Sequence, residues 1–152
     1  MIRSLLLVTC SAIALAAVSA VAADAPTAPI AADKAAIFKA AGFKAKGDTF
    51  VRCGEDPSES YAPGSIEMQD LNGDGTAEAW VRESSTFCYG NTAESFVLLS
   101  KGADGKWTVL LDEVGIADVK TAKHKGWPDI EVGGPGMGPF PVYRYNGKKY
   151  GK

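Results

Sequence analysis

The chain has 152 residues, of which 46% are hydrophobic and 22% are charged, a composition typical of a folded globular protein. Its length fits a single domain. The chain has 16 lysine and arginine residues and 18 aspartate and glutamate residues. It therefore lacks the excess of positive charge by which many nucleic-acid-binding proteins hold their ligand. The chain has one histidine, His124, which leaves little scope for histidine-based metal or acid–base chemistry.

Residues 1–23 have the three parts of a secretory signal peptide. Arg3 supplies the positive start, residues 5–18 are apolar, and small residues before Asp24 offer cleavage sites. The apolar run is shorter than the roughly 20 residues of a membrane-spanning helix. We therefore expect cleavage, a periplasmic or secreted location and no transmembrane anchor afterwards, with a retained anchor as the alternative. Residues 24–29 are predicted to form a disordered spacer.

Removal of the leader would leave two cysteines, Cys53 and Cys88. An exported chain meets an oxidising compartment, so the sequence predicts a disulfide between them, with both cysteines at the ends of strands. A reactive thiol is the alternative, but no histidine or basic cluster lies near either cysteine to lower its pKa.

The remaining chain, residues 30–152, is predicted to form one β-rich domain. Residues 30–41 are alanine-rich with apolar residues near helical spacing, and Gly42 is a natural end for a helix. Seven short runs after it have strand-forming compositions: residues 49–53, 65–69, 79–83, 95–100, 106–111, 129–132 and 141–145. Glycine-containing turns separate several of them, which favours an antiparallel sheet, sandwich or propeller-like blade preceded by one short helix.

The strand-rich region contains an apparent internal repeat. Two triplets share the spacing glycine, acidic residue, valine: Gly75, Glu78, Val81 and Gly126, Asp129, Val132. Each is followed by an apolar run and then a Gly-Lys turn, which predicts two propeller-blade-like hairpin repeats. Chance similarity among short β segments is the alternative.

Residues 70–78 place oxygen-bearing side chains at loop positions 1, 3, 5 and 9, with a glycine at position 6 and a backbone carbonyl at position 7. That spacing favours a calcium ion. The predicted ligands are Asp70, Asn72, Asp74, Thr76 and Glu78. Position 12 is Val81 in place of the bidentate glutamate of an EF-hand, so we expect weak structural binding, with a Kd of about 10⁻⁴–10⁻³ M. The alternative is a metal-free turn in which Asp and Asn side chains cap backbone N–H groups.

The second copy lacks this ligand set. Thr121, Lys123 and Lys125 occupy the positions of the first three ligands, so we expect this copy to bind no metal and to offset the charge of Asp129 internally.

The loop at residues 70–81 resembles the calcium loop of FG-GAP/VCBS-type repeats in integrin-like β-propellers. More broadly, the chain resembles a family of small exported bacterial proteins to which no activity has been assigned. The segments that carry this resemblance are residues 38–43, 70–75, 87–92 and 126–136. The resemblance implies export and a β-rich fold. A closed propeller needs at least four blades, so the likeness to propellers covers the repeat unit alone.

Catalytic motifs are not evident in the sequence. Residues 127–129 resemble the acid loop of tyrosine phosphatases, but Glu59 and Glu94 stand where a phosphate-binding arginine would follow either cysteine. His124 lies between two lysines and is interpreted as a solvated loop residue. We therefore predict that the chain is not an enzyme, with catalysis by His124 and a nearby carboxylate as an alternative.

Acidic residues predominate in residues 24–117 and basic residues in residues 118–152. The two parts either compensate each other within the domain or leave a basic surface for an acidic polymer or anionic envelope. The lysines of such a surface are Lys120, Lys123, Lys125, Lys148 and Lys149. We expect a calcium-stabilised binding module whose partner is an envelope protein or polymer. An inhibitor of an envelope-targeting hydrolase such as lysozyme is the alternative.

Overall fold

The computed structural model describes residues 31–136 and 138–152. The predicted signal peptide at residues 1–23, the spacer at residues 24–29 and the first residue of the predicted helix lie outside these ranges. Within them, the chain begins with helix α1 (Ala31–Ala40), which confirms the N-terminal helix. None of the helices in this part of the chain is long and apolar enough to span a membrane.

The rest of the described chain is mainly β-structure. Its strands are β1 (Lys44–Lys46), β2 (Thr49–Val51), β3 (Ala62–Gln69), β4 (Glu78–Ser84), β5 (Glu94–Lys101), β6 (Trp107–Val114), β7 (Ile116–His124), β8 (Trp127–Gly133), β9 (Val142–Tyr145) and β10 (Tyr150–Gly151). A short helix α2 (Thr86–Tyr89) and a 3-10 turn (Gly90–Thr92) join β4 to β5.

The strands form three antiparallel sheets. Strands β1 and β2 make a small hairpin, while β3–β4–β5–β6 and β7–β8–β9–β10 make two four-stranded meanders in which each strand pairs with its neighbour along the chain. The prediction of a mainly β, antiparallel fold is confirmed. The propeller-like blades stay a prediction, because the arrangement of the two meanders does not by itself define a blade.

Strands β4 and β5 are buried on both faces, which explains their continuous apolar runs. Alternate residues point to opposite faces of a strand. On one face Trp80, Phe96 and Leu98 pack against Ile130 and other apolar residues of the second sheet. On the other face the same two strands contact α1, through Ala79, Val81, Val97 and Leu99.

Helix α1 covers the outer face of the first sheet with Ile37 and Phe38, both almost fully buried. The Phe38 ring stacks on Phe50 at a centroid distance of 4.2 Å. Strand β3 passes close to this aromatic layer, so that a Cβ at Gly64 would lie 2.7 Å from the rings of Phe38 and Phe43. Glycine is needed at position 64 because the aromatic layer leaves no room for a side chain.

Strand β7 is an edge strand of the second sheet. It is not among the strands predicted from the sequence. Its pairing with β8 shifts register between Val119 and Lys123, so the alternation of apolar and polar residues is broken. The outward face of β7 carries ion pairs, since Lys120 Nζ lies 2.6 Å from Asp118 and 3.0 Å from Glu131.

Cys53 and Cys88 form a disulfide with a Cα–Cα distance of 6.1 Å, which confirms the predicted pairing. The predicted placement of both cysteines at strand ends is wrong for Cys88, which lies within α2. The Ser85 hydroxyl accepts a hydrogen bond from Cys88 N at 2.9 Å and so caps this short helix. A capped turn of four residues is too brief to show a helical pattern in the sequence.

We expect a Cys53→Ser/Cys88→Ser variant to be less stable than the oxidised protein by about 3–4 kcal/mol, because the bond closes a loop of 35 residues in the unfolded chain. Guanidinium unfolding of both proteins measures this difference, and the reduced wild-type protein serves as the control. Equal unfolding midpoints for the oxidised protein and the variant would contradict the expectation.

Candidate functional site

The loop between β3 and β4 is built around three of the predicted calcium ligands. Asp70 accepts hydrogen bonds from the backbone N–H groups of Gly73, at 2.8 Å, and Gly75, at 2.9 Å. Asn72 Oδ1 accepts one from Asp74 N at 2.8 Å. The Asp70 and Asp74 side chains remain at the exposed surface of the loop.

Asp74 accepts a bond from Thr76 N at 2.7 Å and another from the Asn72 side-chain amide at 2.9 Å. These bonds, the backbone one first, lower the pKa of Asp74 below its ordinary value. In this arrangement Asp and Asn side chains cap backbone N–H groups of the turn. No three His, Cys, Asp or Glu side chains of the described residues form a ready-made metal cluster.

Glu78, the last predicted ligand, lies beneath the loop. It is fully buried as the first residue of β4, and its Oε2 accepts a hydrogen bond from Leu71 N at 2.9 Å. Burial raises the pKa of Glu78 to about 7, and the negative charges of Asp74 and Asp70 act in the same direction. The loop therefore concentrates negative charge around a carboxyl group that has been withdrawn from water.

The acidic residue of the second copy, Asp129, is also buried, with 4% of its surface exposed. Its Oδ1 lies 2.5 Å from His124 Nδ1, and its Oδ2 lies 3.5 Å from Arg144 Nε. Asp129 thus pairs with the guanidinium group of Arg144 and contacts the imidazole of His124, and its partners are not the lysines that mark this copy in the sequence.

The interpretation of His124 as a loop residue is wrong, since it is the last residue of β7. A half-exposed imidazole held by a buried carboxylate resembles the orienting half of an acid–base pair. Arg144 also engages Asp129, so this carboxylate is part of a three-residue ionic cluster at the end of the second sheet.

The β3–β4 loop and the β7–β8 turn adjoin the same part of the core, since Leu71, Trp127 and Tyr150 belong to one hydrophobic cluster. Tyr150 lies near both acids: burial raises the pKa of Tyr150, and the charges of Glu78 and Asp129 add to the effect. Its hydroxyl donates to the backbone carbonyl of Pro128 at 2.8 Å. Lys125 Nζ lies 2.5 Å from the carbonyl of Asn146, which ties the β7–β8 turn to the β9–β10 turn.

We name this region the loop end and define it as residues 70–77, 125–126 and 146–149. Of the five lysines in the predicted basic surface, the loop end holds Lys125, Lys148 and Lys149. The other two lie on β7, where Lys120 is paired with acidic residues and Lys123 is exposed. Beneath these turns the rings of Trp127 and Tyr145 stack at a centroid distance of 4.7 Å.

A second polar centre, at the opposite end of β4, was not predicted from the sequence. Glu83 is 1% exposed and accepts hydrogen bonds from Arg52 N at 2.8 Å and Cys53 N at 3.0 Å. It also accepts hydrogen bonds from the hydroxyls of Tyr61 and Tyr89. Burial, aided by the bond to Glu83, raises the pKa of Tyr89 to about 12.

The sequence does contain a signal for this centre. Glu83 stands two residues after the apolar Val81, and residues two apart share one face of a strand. An acidic residue on the apolar face of a strand has to find internal donors, because an unpaired buried carboxylate is costly. Three of the donors, at Arg52, Cys53 and Tyr61, lie more than 20 residues away in the sequence, so the sequence could not name them.

A cavity of about 380 Å³ adjoins this centre. Its lining residues are Arg52, Tyr89, Ser95, Asp112, Glu113 and Val114. Arg52 makes a two-pronged contact with Asp112, with both N–O distances at 2.8 Å. The disulfide anchors the residues next to Arg52 and Tyr89, so the cavity wall is fixed covalently.

Comparison of the chain with known protein families, with curated protein sequences and with solved structures gives no match. The functional assignment therefore depends on the geometry of the loop end and of the centre around Glu83.

We expect Glu83→Gln to lower the free energy of unfolding by about 1–3 kcal/mol. The glutamine amide carries no charge, and its NH₂ group would face backbone N–H groups and hydroxyls that already donate to Glu83. Urea unfolding at neutral pH measures the loss. Glu67→Gln on the adjacent strand is the matched control, since the Glu67 side chain is 53% exposed and its nearest cation is 3.9 Å away. This control is expected to change stability by less than about 0.5 kcal/mol. A Glu83→Gln protein as stable as the control would contradict the role of Glu83.

Proposed function

We propose that this chain is an exported, non-enzymatic binding module that uses the loop end to contact an anionic polymer or protein of the cell envelope. The observation that carries the proposal is the link between two lysine-bearing turns, through Lys125 and Asn146, next to a core cluster that also contains Leu71 of the acidic loop. Binding surfaces are commonly formed by loops that a rigid scaffold holds in place. The disulfide supports export, since such bonds persist in oxidising compartments.

Calcium is proposed to stabilise the loop. The donors are oxygen atoms, the ligand type that this hard cation prefers, and they lie close together in sequence and space. Asp70, Asn72 and Asp74 would hold the ion with their side chains and Thr76 with its carbonyl. Glu78, buried beneath the loop, holds the loop in place by accepting a hydrogen bond from Leu71 N. Bound calcium would replace backbone N–H groups as the partner of the loop carboxylates.

Calcium binding would also change the charge of the loop end. In the metal-free protein the carboxylates of Asp70 and Asp74 oppose the lysines of the neighbouring turns. A divalent cation in the loop cancels these two charges, which leaves Lys125, Lys148 and Lys149 to set the local potential. The proposed module would therefore hold an anionic partner more tightly when calcium is present.

We expect calcium to raise the melting temperature of the oxidised protein by several degrees relative to chelator. With a Kd of about 10⁻³ M and about 10 mM calcium, mass action gives roughly 1.4 kcal/mol. The shift should vanish in Asp74→Ala. Asp104→Ala is the matched control, because Asp104 caps the β5–β6 turn in the same way, by accepting from Lys106 N at 3.1 Å.

The readout is the difference between calcium and chelator within each variant, since both substitutions also remove a turn cap. Superimposable melts of the wild-type protein in the two conditions would contradict the calcium proposal. An equal calcium shift in Asp74→Ala would contradict the assignment of the ion to this loop.

The binding proposal predicts that a Lys125→Gln/Lys148→Gln/Lys149→Gln variant loses most of its retention on immobilised poly-L-glutamate in calcium. A matched variant carries the same substitutions at three exposed lysines away from the loop end, Lys39, Lys44 and Lys46, and is expected to keep its retention. Retention should fall as salt is added, because exposed charges are screened. Equal retention of the two variants would contradict the placement of the binding surface at the loop end.

A further inference from the structure

We propose that Asn146, in the turn between β9 and β10, is a site of spontaneous deamidation, and that the ammonium group of Lys125 accelerates the reaction. The backbone nitrogen of Gly147 forms a bond to Asn146 Cγ and gives its proton to hydroxide, while the bond from Cγ to Nδ2 breaks and ammonia leaves. Water then opens the cyclic imide at either of its two carbonyl groups, which leaves aspartate or isoaspartate at position 146. The net change consumes one water molecule and releases one ammonia molecule.

The loop end contains two Asn-Gly pairs, which allow an internal comparison. Asn72 and Gly73 lie in the β3–β4 loop, and Asn146 and Gly147 lie in the β9–β10 turn. A glycine that follows asparagine favours cyclisation, because it has no side chain to obstruct attack by its backbone nitrogen. In both pairs the asparagine Oδ1 accepts a hydrogen bond from the backbone N–H two residues later, at 2.8 Å in the loop and 2.9 Å in the turn. The two pairs therefore differ mainly in the groups around them.

The turn polarises the carbon atom that is attacked. Asn146 Oδ1 accepts hydrogen bonds from Lys148 N at 2.9 Å and from Lys149 N at 3.1 Å. Attack at Cγ places negative charge on this oxygen, and two N–H groups that already point at it stabilise the charge without rearrangement. Among the described residues, none accepts a hydrogen bond from Asn146 Nδ2, so the leaving group is not held in place. In the other pair, Asn72 Nδ2 donates to Asp74 at 2.9 Å.

Lys125 acts on the attacking nitrogen. Its Nζ lies 2.5 Å from the carbonyl oxygen of Asn146. This oxygen and the N–H of Gly147 belong to one conjugated peptide group, so a cation at the oxygen stabilises the anion that forms when the nitrogen loses its proton. The same ammonium group would lie 3.1 Å from a Cβ at position 147, so it is also close to the glycine itself. Gly147 is exposed, and its N–H donates to no group of the described residues, which leaves the proton open to hydroxide.

The charges around Gly73 act in the opposite direction. Its N–H donates to Asp70 Oδ1 at 2.8 Å, and Asp74 is the next residue in the chain. Loss of the proton would break this hydrogen bond and place an anion beside a carboxylate, which is unfavourable. The structure therefore protects the first Asn-Gly pair and makes the second one labile.

Deamidation changes the charge of the loop end. Each event adds one negative charge to a turn that carries Lys148 and Lys149, and so lowers the positive potential there. Glycine is nevertheless required at position 147, where φ is 105°, a region that other residues rarely adopt. The modification itself does not depend on the function proposed for the loop end, whereas its effect on binding does.

The test is incubation of the oxidised protein in chelator at mildly alkaline pH, followed by peptide mapping with mass spectrometry. Deamidation is detected by the mass difference between an amide and a carboxylic acid. We expect Asn146 to be converted at least about fivefold faster than Asn72 in the folded protein, the effect of one unit charge about 4 Å away in water. In concentrated guanidinium the two rates should become similar, because unfolding removes the surroundings that distinguish the two pairs.

Lys125→Gln should slow the conversion of Asn146 about fivefold, whereas Lys125→Arg should keep most of the rate. Lys149→Gln is the matched control, since it removes an equal charge from the same turn and leaves the backbone donor at position 149 in place. It should slow the reaction less than Lys125→Gln does. The proposal is overturned if Asn72 reacts as fast as Asn146 in the folded protein, or if the ratio of their rates is the same in guanidinium. It is also overturned if Lys125→Gln slows Asn146 no more than the control does.

Discussion

The constraint on which the structure depends is the burial of β4 and β5 on both faces. A strand pair of this kind needs a cover on each side, and here α1 supplies one and the second sheet the other. Each buried polar side chain on the two strands then needs a hydrogen-bond partner inside the protein. Glu78, Glu83 and Ser95 are the polar groups in question, and the loop end and the cavity lie around them.

The sequence predicts the parts of the fold whose signals are local. Helix α1, the disulfide and the central strands were predictable from apolar runs, a glycine stop and the two cysteines that follow the predicted leader. Strand β7 was not, because its register shift breaks the alternation, and β10 has two residues. Strand order and the packing of the two sheets depend on contacts distant in sequence, which composition and periodicity do not encode.

The candidate sites were likewise predictable only where their residues are close together in the sequence. Asp70, Asn72 and Asp74 could be grouped from spacing alone, since a short loop brings neighbours in sequence together. The inward position of Glu78 follows from strand β4, which begins at that residue. The contact between His124 and Asp129 arises from the hairpin register, and the backbone donors to Glu83 come from a segment about 30 residues away. Such arrangements become visible only once the strands are paired.

The free edge of the second sheet has a consequence for how copies of the protein meet one another. An exposed β-strand normally invites another chain to extend the sheet. On β7 a register shift interrupts the regular pairing with β8, and Lys120 forms ion pairs with Asp118 and Glu131 on the outward face of the strand. Bulges and charged side chains on an edge strand discourage pairing with another edge. These features disfavour extension of the sheet by a second copy of the protein.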